Sequence, residues 1–275
     1  MPGQTSAAAI TVKLDPVRLT IKTMLAFDYA EPTDLLLQIE AAKLPDQRLI
    51  KPAIGISPVE HFARVPGHDE IGERIWLRVN PGRLLVDYHA SVEIDRRSVP
   101  IEQLPGCEPH KLPGEVIDYL MPSRFCPSDL FGAFVETEFG ALSGGGQVAA
   151  MRDWITEYFT YTPGASNAST SAADSILTRQ GVCRDYAHVL VSMARAAAIP
   201  ARYASVYAPE VSPPDFHAVA EVYLAGAWHL VDATGMARAD EMALIGVGRD
   251  AADISFLSSF GVAEMVNLQV EVKRG

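Results

Sequence analysis

Apolar and polar positions divide the chain into two regimes. From Ile10 to about Ile101, short runs of Val, Ile, Leu, Tyr and Phe are broken by turn residues, and the spacing predicts strands over Leu19–Tyr29, Leu35–Ala41, Arg48–Ser57, Glu73–Val79 and Leu84–Ile94. The alternation is clearest in the last run, where Val86, Tyr88, Ala90, Val92 and Ile94 share one face. Asn80-Pro81-Gly82 marks a turn between two runs, and the pattern as a whole predicts an antiparallel sandwich. Residues 100–127 interrupt it with Pro100, Pro105, Pro109, Pro113, Pro122 and Pro127, which fit neither helix interiors nor central strands, so a connector lies over a surface here.

Beyond the connector the period becomes helical. Pro127-Ser128-Asp129-Leu130 is a helix start, and a helix follows from Gln147 to about Phe159 with Val148, Met151, Trp154, Ile155 and Tyr158 on one face. Trp154 and Tyr158 read as core. Gly144-Gly145-Gly146 reads as a linker, since no Lys-Ser/Thr follows it to make a phosphate loop. A small-residue loop covers 164–173, with a short helix near Ser175–Thr178. A longer helix spans Cys183 to Ala198, closed by Pro200, with Ala187, Leu190, Val191, Ala194 and Ala198 as its buried stripe. Strands follow over Arg202–Ala208, His217–Leu224 and Trp228–Asp232, the last two joined by a tight turn at Gly226. Met265–Val272 closes the chain with Val266, Leu268, Val270 and Val272 on one face. The expected division is a β-sandwich unit over 1–103, a proline-rich connector over 104–127 and an α+β unit over 128–275.

Charge and composition narrow the function classes. With 23 Lys+Arg against 34 Asp+Glu, a formal charge of -11, no stretch supplies the basic surplus that a phosphate backbone needs, so nucleic acid is not an expected partner. The longest apolar run, Ala187 to Ile199, is interrupted by Arg195 and falls short of the roughly 20 residues of a membrane span. Met1 to Ile10 lacks a basic region ahead of an apolar segment, so no signal peptide is expected and the predicted location is the cytoplasm. Three cysteines, Cys107, Cys126 and Cys183, are too few for a disulfide framework. Cys107 and Cys126 also lack the close pairing of a zinc site, and no metal or nucleotide cofactor is implied.

Cys183 stands where a loop enters the long helix. Unpaired N–H groups and the positive end of the macrodipole favour a thiolate there, and the same N–H groups can hold an oxyanion. Gly181 permits a sharp turn before it. His217 opens a strand after the rigid segment Ser212-Pro213-Pro214-Asp215-Phe216, at a sheet end that can face a helix terminus. Counting outward from a turn between residues 225 and 226 opposes 217 to about 234, so Asp232 is a diagonal neighbour within side-chain reach. Cys183, His217 and Asp232 thus form a nucleophile, base and orienting acid. Asp185 in the first helical turn is explained by the macrodipole alone. Gln180 and Tyr186 are candidate substrate or oxyanion contacts, against the plainer readings of a solvated amide and a packing aromatic. His188 lies on another helix face and reads as a bystander, while His229 points to the opposite side of its strand.

Four ordered segments, Gln180-Gly181-Val182-Cys183-Arg184-Asp185-Tyr186-Ala187, Ala198-Ile199-Pro200-Ala201-Arg202-Tyr203, Phe216-His217-Ala218-Val219-Ala220-Glu221-Val222-Tyr223 and Val231-Asp232-Ala233-Thr234, resemble the core of the bacterial transglutaminase-like cysteine protease family. Upstream, Tyr119-Leu120-Met121-Pro122-Ser123-Arg124-Phe125-Cys126-Pro127-Ser128-Asp129 resembles the segment that precedes that core, and residues 10–100 resemble the family's N-terminal β-domain. The resemblance implies a papain-like α+β core behind an N-terminal β-sandwich, with a triad on Cys183, His217 and Asp232. It implies a thiol-dependent hydrolase of peptide or amide bonds, working through a thioester on a peptide or protein substrate. A protein-glutamine acyltransferase using the same triad, or a non-catalytic peptide-binding module, are the alternatives. The chain departs from the family in Ala198, where glycine is usual, and in Val219, where an aromatic often follows the His-Ala pair.

Overall fold

The computed structural model describes residues 16–275. The reading of Met1–Ile10, and the start of the 1–103 unit, lie outside the described residues. Strands β1 (Val17–Tyr29), β2 (Thr33–Leu37), β3 (Gln47–Ile56), β4 (His61–Pro66), β5 (Glu73–Val79) and β6 (Gly82–Ile94) come first. Helices α1 (Gly132–Phe139) and α2 (Gly144–Tyr158) follow, then β7 (Thr160–Tyr161), α3 (Ala172–Thr178), β8 (Gln180–Gly181) and α4 (Cys183–Ala196). The chain finishes with β9 (Ala201–Tyr207), β10 (His217–Leu224), β11 (Ala227–Val231), β12 (Ala243–Gly248), β13 (Leu257–Ser259) and β14 (Glu264–Arg274). This is a mixed α+β fold with several antiparallel sheets.

The alternating face of β6 is buried as its pattern dictates: Val86, Tyr88, Ala90, Val92 and Ile94 are all inside. They share one apolar cluster with Leu19, Ile21, Leu25 and Phe27 of β1 and with Leu35, Leu37, Ile75 and Leu77 of β2 and β5. Burying each such side chain stabilises by roughly 1.5–3 kcal/mol relative to exposure. Two four-stranded sheets supply the cluster, in the orders β14-β1-β6-β3 and β13-β2-β5-β4. Two of those strands come from the far end of the chain. The expected 128–275 unit therefore gives up its last two strands to the first 100 residues, because β14 is the antiparallel partner of β1 and β13 that of β2. Val266 leaves its expected face: a bulge pairs Ala26 with Asn267 and Phe27 with Met265, so Val266 is the extra, exposed residue. β4, whose side chains are mostly exposed, shows no apolar alternation that could announce it.

A third sheet, β11-β10-β9-β12, carries α4 on one face. Leu190, Met193 and Ala194 of α4 are buried in one cluster with Ala201, Ala220 and Val222 of β9 and β10. Tyr207, Ala243 and Ile245 of this sheet, with Phe216 beside it, join the core of the first two sheets. Tyr207 donates to Ile39 O at 2.7 Å and shares a hydrogen bond of 3.0 Å with Thr23, so the sheets are keyed together by a buried polar contact as well as by area.

The 104–127 segment runs as turns and short 3-10 stretches pinned by buried Val116, Tyr119, Phe125 and Cys126. The expected helix start at Pro127–Leu130 is a 3-10 turn, and α1 begins at Gly132. Gly144-Gly145-Gly146 is not a linker: it forms the first turn of α2. A Cβ on Gly145 would stand 1.7 Å from Ile101 O, so the glycines let the connector backbone lie against the helix start. α4 ends two residues before the expected Ala198, which takes a left-handed conformation with φ +57°. That is the helix-terminating position usually filled by glycine.

Candidate active site

The approach to Cys183 is shaped by a cap. Val182 offers no side-chain acceptor at the start of α4, and Asp185 folds back so that Oδ2 accepts the Val182 N–H at 2.8 Å and the Ser166 hydroxyl at 2.6 Å. Asp185 is fully buried, and a Cβ on Gly181 would meet its Oδ2 at 2.6 Å. Glycine at 181 is thus what lets the capping carboxylate sit under the turn, and Asp185 is structural as expected but acts as a buried cap rather than through the macrodipole alone. The first amides bonded along the helix belong to Asp185 and Tyr186, which donate to Val182 O, so the Cys183 N–H bonds no main-chain acceptor among the described residues.

His217 opens β10 and is 1% exposed. Asp232 follows β11 and reaches it across the hairpin. Ala225 and Gly226 take positive φ (52° and 82°), the two-residue turn expected there, and Leu224 pairs with Ala227 and Ala220 with Val231. That register opposes 217 to 234, and His217 Nε2 lies 2.9 Å from Asp232 Oδ2. The carboxylate is fixed by three further donors: Thr234 N–H (2.8 Å) and Oγ1 (2.7 Å) on Oδ1, and Ala237 N–H (2.9 Å) on Oδ2. Burial works to raise the Asp232 pKa, but its hydrogen bond to His217 and the Thr234 donors outweigh this and hold it below the usual range.

Burial likewise opposes the charged form of His217. The Asp232 hydrogen bond and then the Cys183 side chain overcome it, pushing the imidazole up to about 10. Because Nε2 serves Asp232, the ring presents Nδ1 to the remaining partner. Among the described residues Nδ1 is buried without a hydrogen bond of ordinary geometry, while Cys183 is near enough to favour the imidazolium. Cys183 and His217 line one cleft of about 630 Å³, with Tyr203 and Ser205 of β9 on its floor and Ser255, Phe256, Ser258 and Ser259 on its wall. The structure therefore brings Cys183, His217 and Asp232 together.

The other sequence candidates lie elsewhere. Tyr186 is buried among aromatic rings, its centroid 5.4 Å from Phe159 and 6.0 Å from Tyr161, and Gln180 is exposed on β8. Neither lines the cleft. Tyr161 does not line the cleft either, but it comes near Cys183. β7 pairs in parallel with β8, setting Tyr161 beside Gly181 with its hydroxyl near Cys183. Burial first, then the Cys183 charge, pushes this phenol up to about 12, so it stays a donor. Nothing local in the sequence links Tyr161 to Cys183; only the β7/β8 pairing does. Asp215 also lines the cleft, its carboxyl raised by burial although Oδ1 accepts the Phe216 N–H at 2.7 Å.

His188 is fully buried as an acceptor from Ala251 N–H (3.1 Å), burial lowering it to about 4. His229 Nε2 lies 3.2 Å from Leu224 O. Cys126 is buried, donates its thiol to His188 O at 3.6 Å and is pushed up by burial to about 12, which keeps it a thiol.

Residues 135–233 match the family model described as the transglutaminase-like superfamily, a segment that contains all three triad positions. A solved structure from Cytophaga hutchinsonii, described as a candidate cysteine protease, superposes with a TM-score of 0.90 at 31% sequence identity, covering 95% of this chain and 91% of its own. Among curated proteins, an uncharacterised protein of Mycobacterium leprae is 28% identical over 116 residues, 39% of this chain and 41% of its own length. An uncharacterised protein of Mycobacterium tuberculosis is 30% identical over 143 residues, 46% of each. The matches span less than half the length of these curated relatives.

Proposed function

The chain belongs to the transglutaminase-like superfamily, and from that premise we propose that it is a cysteine peptidase or amidase whose nucleophile, base and orienting acid are Cys183, His217 and Asp232. The observation that carries this reading is the buried His217–Asp232 pair, whose second ring nitrogen is unpaired beside a thiol in an open cleft. A histidine used only for packing has no need of a carboxylate held by three other donors.

In the proposed reaction, Cys183 gives its proton to His217 Nδ1, and Sγ attacks the carbonyl carbon of the substrate amide. The carbonyl π pair moves to oxygen, where the Cys183 N–H and the Tyr161 hydroxyl meet the negative charge. Collapse of the tetrahedral adduct breaks the C–N bond as His217 returns its proton to the leaving nitrogen. A thioester remains on Cys183. Water, deprotonated by His217, then attacks it; the C–S bond breaks, a carboxylic acid leaves and the thiol is restored. Ser205, Ser255, Ser258, Ser259 and Asp215 make the cleft polar, which favours water over an amine as the acceptor, since amine transfer needs a dry acyl pocket.

The two sheets that share the first core are read as a β-sandwich, supported by their common apolar cluster. Its role is to brace the cleft wall, because the chain from Ile254 to Ser259 runs from the cleft directly into β13. The test is hydrolysis of a randomised peptide library by wild type, Cys183→Ala and His217→Ala. The expected result is cleavage by wild type only, and cleavage that survives both substitutions overturns the assignment.

A further inference from the structure

β13 is the edge of its sheet: β2 flanks one side, and no described strand flanks the other. The register decides which of its backbone groups are free. Gln38 N–H donates to Phe256 O and Phe260 N–H to Asp34 O, each at 3.0 Å, so residues 256, 258 and 260 turn their main-chain groups toward β2. An antiparallel ladder alternates, which leaves Leu257 and Ser259, opposite Leu37 and Leu35, with N–H and C=O directed to the open side. The Leu257 carbonyl already accepts the Ser255 hydroxyl at 2.9 Å. Among the described residues, what remains without a partner is Leu257 N–H, Ser259 N–H and Ser259 C=O. The Ser259 side chain does not cover them, since its hydroxyl is engaged with Gly261 O at 2.8 Å.

This edge also borders the cleft, through Ser258 and Ser259 but not Leu257. Ser258 and Ser259 line it, as do Ile254, Ser255 and Phe256 leading into the strand, and Cys183 and His217 line the same space. Exposed edges are commonly blunted by charged side chains, proline or a bulge. Leu257-Ser258-Ser259 has none of these. A bare strand edge beside a nucleophile offers main-chain pairing to any extended chain that enters.

We propose that the substrate is an extended polypeptide segment bound as an added strand on β13, its main chain bonded to Leu257 and Ser259 and an amide bond thereby carried to Cys183. The proposal rests on the cysteine-peptidase reading and names its substrate class: unfolded stretches, tails or open loops rather than helices or small isolated amides. Recognition through main-chain groups makes the enzyme tolerant of side chains on the paired residues. Since strand residues rise about 3.3–3.4 Å each, the groups of Leu257 and Ser259 engage substrate residues two apart and skip the one between.

The experiment uses the most rapidly cleaved decapeptide from the randomised library, resynthesised with a single backbone N-methyl group at each position in turn. Binding of each is measured to the Cys183→Ala protein, and amide hydrogen exchange of that protein is followed with and without the parent peptide. The expected result is a period-two pattern, with N-methylation at paired residues weakening binding at least tenfold and at intervening residues less than twofold. Exchange at the Leu257 and Ser259 amides slows together with it. A wild-type enzyme that cleaves the peptide, with neither the alternation nor the protection, overturns strand addition and leaves the triad standing. A wild type that cleaves no peptide removes the proposed function and strand addition with it.

Discussion

Asp232→Asn isolates the carboxylate that is proposed to hold His217. Of the two ways the amide can sit, one turns its NH2 toward His217 Nε2 and the Ala237 N–H, donor against donor. The other keeps oxygen there and sets NH2 against the Thr234 N–H. The second preserves the ring's orientation but replaces a charged acceptor by a neutral one. A hydrogen bond to a charged group contributes about 1.5–3 kcal/mol, and with tenfold per 1.36 kcal/mol the expected fall in kcat/KM is about 10- to 150-fold. The pH profile carries the sharper signature. In the wild type the imidazolium is held until pH rises through about 10; without the carboxylate, burial favours the neutral ring and the basic limb moves down toward neutrality. The linkage has the same sign. Since the folded pKa of His217 lies above its ordinary value, its stabilising contribution is fully present below about pH 6.5 and is lost as pH approaches 10. The difference in urea midpoint between wild type and Asp232→Asn is therefore largest near pH 6 and shrinks toward pH 10. A variant with kcat/KM within twofold of wild type and an unmoved basic limb refutes the orienting role.

Tyr161→Phe removes a proposed oxyanion donor and is expected to lower kcat about 100-fold with little change in KM, read from steady-state kinetics. Gly181→Ala drives a Cβ into the Asp185 carboxylate at 2.6 Å; loss of the cap should destabilise by about 1–2 kcal/mol in urea unfolding, and alkylation of Cys183 should slow as its helix turn shifts. Ala198→Gly relieves a left-handed alanine, and after the entropic cost of glycine a gain of about 0.5–1 kcal/mol is expected from the same assay. In wild type at neutral pH, iodoacetamide should label Cys183 well before Cys126, which is buried and pushed up to about 12; peptide mapping of the labelled protein reads the order.

The parts of the fold that were legible in sequence are those whose pattern is local. β6 alternates strictly and is buried strictly, and the turn at Ala225-Gly226 fixes a register that could be counted outward from sequence to place Asp232 near His217. The cap at the start of α4 was only half legible: Asp185 reads from sequence as a partner of the macrodipole, whereas in the structure it accepts the Val182 N–H beneath Gly181. What escaped depends on distant partners. β12 is a short, fully buried run containing two glycines, without a period to distinguish strand from loop, and a Cβ on Gly246 would meet Gln38 Nε2 at 2.3 Å. Gly144–Gly146 looks like a linker until Ile101 O is seen lying against Gly145. β14 reads as a strand but carries no mark of its partner β1, so the division of the chain into successive units misses that the last strands complete the first sheets. Tyr161 and the edge of β13, which no described strand flanks, share this difficulty: each comes near Cys183 or the cleft only through tertiary pairing, whereas Cys183, His217 and Asp232 are tied by a helix start and a single hairpin.

The most direct measurement is capture of the acyl enzyme. Wild-type protein is mixed with the cleaved decapeptide, quenched in acid during turnover and mapped by mass spectrometry. An increment equal to the acyl half of the peptide on the fragment containing Cys183, labile to hydroxylamine and absent from Cys183→Ala, is the predicted result. Continuing hydrolysis with no adduct on Cys183, or with the adduct on another residue, contradicts the assignment of the nucleophile.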